Sequence, residues 1–233
     1  MNEAGILFTA AMVHALPPGP KTKTRRAIHL QPNAVHEGEP YWFVGGYRVW
    51  AYRPVPAVPL RAGGNPMPCP YGQPLDRLWV RETFFAWGRW ETRFNAKKGR
   101  DEWHFVDMTL DCGHAYLYTA DHPRPQPLAG KRDGGLTPKW WKRPAIFMPR
   151  DASRITLEIT EVRVERLQDI SEADALAEGI VRQPDGGYGL ADTTHYHHTD
   201  PRQSYFSLWE AINGDGSVDA NPWVWAVSFR RLP

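Results

Sequence analysis

The clearest regularity in the chain runs from Ile155 to Leu167. There Ile155, Leu157, Ile159, Val162 and Val164 are apolar, and Thr156, Glu158, Thr160 and Glu161 between them are polar. A period of two belongs to a strand buried on one face. The alternation breaks phase between Thr160 and Val162, which predicts a β-bulge. Leu78, Val80 and Phe84 alternate with charged or polar positions and predict a half-buried strand over Asp76–Phe84, and Trp223–Phe229 reads as a final strand. Near the start, Ile6, Leu7 and Phe8 lead into the breaker-free stretch Ala10–Leu16, a strand and then a helix. Pro17-Pro18-Gly19-Pro20 ends that helix, because proline lacks the N–H that would continue it. Lys21–Arg26 follows with its cations around two threonines and is expected to form an exposed, rigidly introduced loop.

Two further helices have terminal signals. Ser171 can cap a helix over Glu172–Glu178, and Gly179 is a natural stop. Ser204–Asn213 reads as an amphipathic helix. Glu37–Pro74 alternates aromatic stretches such as Tyr41-Trp42-Phe43 with Pro and Gly clusters and predicts a β-hairpin followed by a loop. Phe85–Pro144, with Trp87, Trp90, Trp103, Trp140 and Trp141, reads as an insertion with its own short strands, and Gln183–Gln203 as a polar loop. Several strands with few helices predict an α+β fold, a small mixed β-barrel with flanking helices. The expectation is a single domain over 1–233 with insertions at about 37–74, 85–144 and 183–203.

Composition narrows the partners. The 28 Lys and Arg against 26 Asp and Glu leave a net charge of +2, without the one-sided excess of a dedicated duplex-DNA binder. The 11 tryptophans are the compositional outlier, and flat aromatic surfaces suit core packing or the stacking of a nucleobase. With no long apolar run and no leader-like N-terminus, the expectation is a soluble, cytoplasmic protein with no membrane partner. Cys69 and Cys112 are too few for a disulfide framework. His195, His197, His198 and His114 with those cysteines invite a zinc reading. The only close pairing is Cys112-Gly113-His114, so neither a metal nor any other cofactor is expected.

Candidate chemistry gathers in one loop. Gly19-Pro20-Lys21-Thr22-Lys23-Thr24-Arg25-Arg26 resembles the signature loop of ASCH domains, in which a Gly precedes a Lys, a Thr three positions on, and then an Arg. Asp76-Arg77-Leu78-Trp79-Val80-Arg81 looks like that family's second strand, Arg154–Ile180 like its strand, loop and helix ending in a Glu, and Trp223–Leu232 like its last strand. Phage-encoded members are similar also at Cys69-Pro70-Tyr71-Gly72 and Met148-Pro149-Arg150. Pro20 and Lys23 depart from the small bacterial branch of the family, which has an apolar residue at the second position.

The resemblance implies a PUA-like barrel, the fold of RNA-binding PUA domains. It also implies the activity of that branch, the hydrolysis of N4-acetylcytidine. By it, Lys21, Thr24 and Glu178 are catalytic and Arg26, Trp79, Arg81 and Glu82 hold the base or ribose, with a modified nucleoside as substrate and RNA as a further partner. The chemistry is coherent, since amide hydrolysis needs a nucleophile, a proton acceptor that later serves the leaving nitrogen, and a stabilised oxyanion. Crowding by Lys23, Arg25 and Arg26 is expected to disfavour the charged form of Lys21. Two other readings of the same loop are a non-catalytic RNA-binding module and a ribonuclease.

Overall fold

The computed structural model describes residues 2–16, 18–32, 34–36, 39–44, 47–50, 68–121, 125, 128–130, 135–191 and 197–233, with backbone alone at 34–36, 39–44 and 47–50. In chain order the elements are β1 (Glu3–Leu7), α1 (Ala10–His14), β2 (Lys23–Ala27), β3 (Ala34–His36), β4 (Glu39–Val44), β5 (Tyr47–Trp50), β6 (Arg77–Arg81), β7 (Phe84–Asn95), β8 (Arg100–Asp107), β9 (Leu117–Tyr118), β10 (Lys139–Arg143), β11 (Thr156–Arg166), α2 (Glu172–Ala177), β12 (Ile180–Arg182), β13 (Tyr188–Leu190), α3 (Pro201–Asn213) and β14 (Trp223–Arg231). The fold is α+β, mostly sheet with few helices. No helix among the described residues is long and apolar enough to cross a membrane.

Two compact units divide the chain. The first comprises Met1–Ile6, His14–Trp79 and Ile155–Pro233, and the second Leu7–Val13 and Val80–Arg154, which contains the segment expected as the insertion at 85–144.

The principal sheet has the order β1-β6-β11-β14-β2. Its centre is β11, which lies antiparallel to both β6 and β14. The alternation read in the sequence is the one the strand uses, since Leu157, Ile159 and Val162 are buried and Glu158, Thr160 and Glu161 are not. The phase break is a bulge. Ile159 pairs with Phe229 and Glu161 with Ser228, so Thr160 is the extra residue. In β14 five consecutive residues, Trp223–Val227, are buried, as befits a strand covered on both faces. Ile6, Leu78, Leu157, Ile159 and Val224 are at most 1% exposed. Each such side chain stabilises the fold by about 1.5–3 kcal/mol.

Helix α2 starts where the Ser171 cap predicts, whereas α3 starts at Pro201, before the expected Ser204, with Asp200 as its cap. The Ser171 hydroxyl accepts the Asp174 N–H at 3.1 Å, and Asp200 accepts the Arg202 N–H at 2.7 Å with Pro201 in the first turn. Gly179 ends α2 at φ +104°, a conformation that glycine adopts without strain.

Two expectations need correction, and a third is extended. The segment Phe85–Pro144 does not carry only short strands, because β7 has twelve residues and β8 eight, joined by the turn Ala96–Gly99. Gln183–Gln203 is not simply a loop: β13 pairs with β12 across a turn at Gly186, and α3 begins at Pro201. Polar, glycine-containing stretches hide short hairpins because the turns that join the strands, here Gln183–Gly187, need that same chemistry. The aromatic stretch before residue 51 holds the expected hairpin, β4 paired with β5, to which β3 adds a third strand, and 51–67 lie outside the described residues.

Candidate functional site

The signature loop is built by backbone contacts within the first unit. Gly19 donates to Leu16 O and Lys21 to Ala15 O, both at 2.7 Å, which folds the chain sharply back on the residues following α1. Only glycine fits at 19, because a Cβ there would lie 2.5 Å from the Ala15 carbonyl oxygen. Thr22 then donates to Ala177 O at 2.8 Å and accepts from Phe229 N at 2.9 Å, tying the loop to the end of α2 and to β14. Gly179 allows that approach, for its Cβ would meet the Ala15 Cβ at 3.1 Å.

The expected exposed loop is therefore a correction. Lys21 is 0% exposed, Thr24 2% and Arg25 3%, and from Lys23 onward the segment is strand β2, paired with β14. Composition misleads here because carboxylates 140 or more residues away neutralise the cations.

Lys21 Nζ donates to Glu178 O at 2.7 Å, Lys23 O at 2.9 Å and Glu178 Oε2 at 3.0 Å, an acceptor for each ammonium proton. Burial lowers its pKa below the usual lysine value; Glu178 opposes this, while Arg26 and Arg25 reinforce it. The direction agrees with the crowding argument, but the principal cause is desolvation. Lys23 is engaged elsewhere, its ammonium bonded to Asp174.

Glu178 is 4% exposed, and its other oxygen accepts from Arg25 Nη1 at 3.3 Å. Arg25 is the hub of the cluster, with Nε bonded to Glu165 Oε1 at 2.7 Å and Nη2 to Asp174 Oδ2 at 2.6 Å. Burial works against the Arg25 charge, but Glu178 and Glu165 outweigh it and raise the pKa. Asp174, on α2, is likewise held below the ordinary range: desolvation opposes, and Lys23 and Arg25 prevail. Tyr205, buried on α3, has its hydroxyl pushed well up, first by burial and then by Glu178.

Thr24 alternates along β2 with Lys23 and Arg25, so its side chain points to the opposite face of the strand. Among the described residues it shares no hydrogen bond with Lys21 or Glu178. Arg26 is on the Thr24 side, half-buried and opposite Trp225. Trp79 is half-buried on β6, opposite Thr156.

Arg81 and Glu82 belong to the second unit. There Arg81 Nη2 donates to Ile146 O, and Glu82, 1% exposed, engages Arg154 with both oxygens, at 2.9 and 3.1 Å. Thus Lys21 and Glu178 are brought together, with Arg25, Glu165, Asp174 and Tyr205 as members that sequence reasoning passed over. A signal for Arg25 was its place on a strand two residues from Lys23, where a period of two puts both on one face.

The residues of the zinc reading are dispersed. His197 pairs with Asp185 at 3.0 Å, His198 Nε2 contacts Ser207 Oγ at 2.7 Å, and His195 lies outside the described residues. His114 packs between Trp87 and Trp140, with ring centroids at 5.0 and 5.4 Å. Cys69 is buried, which pushes its thiol up to about 11, and Cys112 is exposed. Among the described residues no three His, Cys, Asp or Glu are grouped to hold a metal ion.

No family model matches the chain, and neither does any curated protein or solved structure.

Proposed function

We propose that this protein is an ASCH-type, PUA-like amidohydrolase that removes the acyl group from N4-acylated cytosine or cytidine in the cytoplasm. One observation carries the reading: Lys21 Nζ and Glu178 Oε2, 157 residues apart in sequence, meet at 3.0 Å in a buried site. These are two of the three positions that the resemblance to ASCH hydrolases marks as catalytic, and nothing in the spacing alone requires them to touch.

The roles follow from the surroundings. A lysine shifted downward by burial reaches its neutral, basic form at a lower pH than a free lysine does. A neutral amine keeps two N–H donors, and the carbonyls of Lys23 and Glu178 supply their acceptors. Glu178, bracketed by Lys21 and Arg25, serves to orient Lys21 rather than to donate a proton. With no hydrogen bond between Lys21 and Thr24 among the described residues, the attacking oxygen is that of a water held by the Thr24 hydroxyl, and Lys21 takes that water's proton as it adds to the acyl carbon. The C–N4 bond breaks and that proton passes to the departing cytosine amine. Arg26 and Trp79 are the first-unit candidates for holding the base.

The test is the ultraviolet spectrum of N4-acetylcytidine incubated with purified protein, since conversion to cytidine shifts its absorption. Turnover is expected, with a loss of at least about a hundredfold in Lys21→Ala and in Glu178→Ala, and Thr24→Ser more active than Thr24→Val. No spectral change with the wild-type protein, or equal rates for the two Thr24 variants, would overturn the assignment or the role of Thr24 respectively.

A further inference from the structure

The ribbon of β7 and β8 has two unlike faces. The register pairs Trp90 with Phe105, Thr92 with Trp103 and Phe94 with Asp101, and strand alternation sets these on one face. The intervening pairs, Glu91 with His104, Arg93 with Glu102 and Asn95 with Arg100, take the other and are polar throughout. The first face carries an aromatic row that grows more exposed toward the tip, from Trp90 at 9% through half-buried Phe105 to Trp103 at 42% and Phe94 at 69%. Arg143 of β10 lays its guanidinium over Trp90 and Phe105, at 4.8 and 4.4 Å from their centroids, and over Phe147, itself 56% exposed, at 4.9 Å.

We propose that this face is a docking surface for single-stranded nucleic acid, whose unpaired bases stack on Phe94, Trp103 and Phe147. Trp103 is diagonal to Phe94 across the strand pair, a separation of about 7–8 Å, room for a base to lie beside each ring. Stacking on aromatic and guanidinium planes is the chemistry that recognises unpaired bases whatever their sequence. The charge is of the matching sign. Residues 84–107 and 139–143 hold eight Lys and Arg against four Asp and Glu. Two of those acids, Glu91 and Glu102, are on the polar face in pairs with Arg93 and Lys98. A duplex buries its base faces in its own stack and is excluded, and an apolar protein partner would have to desolvate the Arg143 charge.

The probe is a fluorescein-labelled, uridine-rich RNA of about twelve nucleotides, within the span of one such platform, followed by anisotropy at low salt. Binding is expected to weaken as salt rises. Phe94→Ala and Trp103→Ala should each reduce affinity roughly tenfold with an unchanged circular dichroism spectrum, because both side chains project into solvent. Free N4-acetylcytidine should be hydrolysed by these variants as by the wild-type protein, and the binding measurement stands whether or not that activity exists. The proposal is overturned if the wild-type protein does not bind the strand, if the blunt-ended duplex of that strand with its complement binds as tightly, or if the Phe94→Ala/Trp103→Ala double variant keeps wild-type affinity.

Discussion

Glu178→Gln is the substitution that most directly probes the buried cluster. It preserves shape and removes the one charge that Lys21 and Arg25 share. Arg25 loses little, because Glu165 and Asp174 remain at 2.6–2.7 Å. Lys21 is 0% exposed and keeps the carbonyls at 2.7 and 2.9 Å, but its 3.0 Å carboxylate becomes a neutral amide. Leaving a buried charge without its counter-ion costs about 3–5 kcal/mol, a large part of the roughly 5–15 kcal/mol that holds a domain folded. The reverse change is milder. In Lys21→Met the carboxylate still has Arg25 at 3.3 Å, so a smaller loss is expected. Removing both ions together should then recover part of the Glu178→Gln deficit, a coupling of about 0.5–3 kcal/mol. Urea unfolding at neutral pH, followed by circular dichroism, measures all three variants. A Glu178→Gln protein within about 1 kcal/mol of wild type, or strictly additive single changes, would refute the picture of Lys21 as a cation that depends on Glu178.

Further outcomes rest on the same geometry. The Lys21 pKa lies below 10.5, so deacylation should rise with pH and level off before the ordinary lysine range, and the same group should make folding stability increase with pH from its folded pKa up to 10.5. In Arg25→Met a repelling cation is gone and Glu178 is left to Lys21 alone, so the rising limb of kcat/KM should move to higher pH; an unmoved limb would remove Arg25 from the device. Gly19→Ala places a methyl group against the Ala15 backbone and should cost about 1–3 kcal/mol in a thermal melt, whereas Gly130→Ala, whose Cβ would meet nothing within 4 Å among the described residues, should be close to neutral.

The parts of the fold that were legible are those whose signal is local. The bulged strand β11, the Ser171 cap, the Gly179 stop and the opening strand and helix are all written in period and terminal chemistry. What escaped depends on residues far apart. The environment of Lys21–Arg26 is decided by Glu165, Asp174 and Glu178, and a cationic run reads as solvated until its counter-ions are located. Burial of Glu178 followed the same logic: the residue sits at the end of α2, and only the fold of the signature loop shows that this end is covered. The long β7–β8 ribbon was obscured because charged and aromatic residues alternate there with one exposed face of each kind, unlike the apolar-in, polar-out pattern that marks a strand.

The bulge in β11 makes this strand unequally tolerant of changes in length. Thr160 is opposite no residue of β14, so losing it would let Ile159 and Glu161 run on in simple alternation, with every later side chain on the face it now occupies. Loss of Arg163 would instead invert the faces of the positions that follow it or precede it, turning Glu165 away from Arg25 or Leu157 and Ile159 out of the core. Thr160 is in this sense a spare position, the one place in the central strand where the reading frame of inside and outside can be edited without being scrambled.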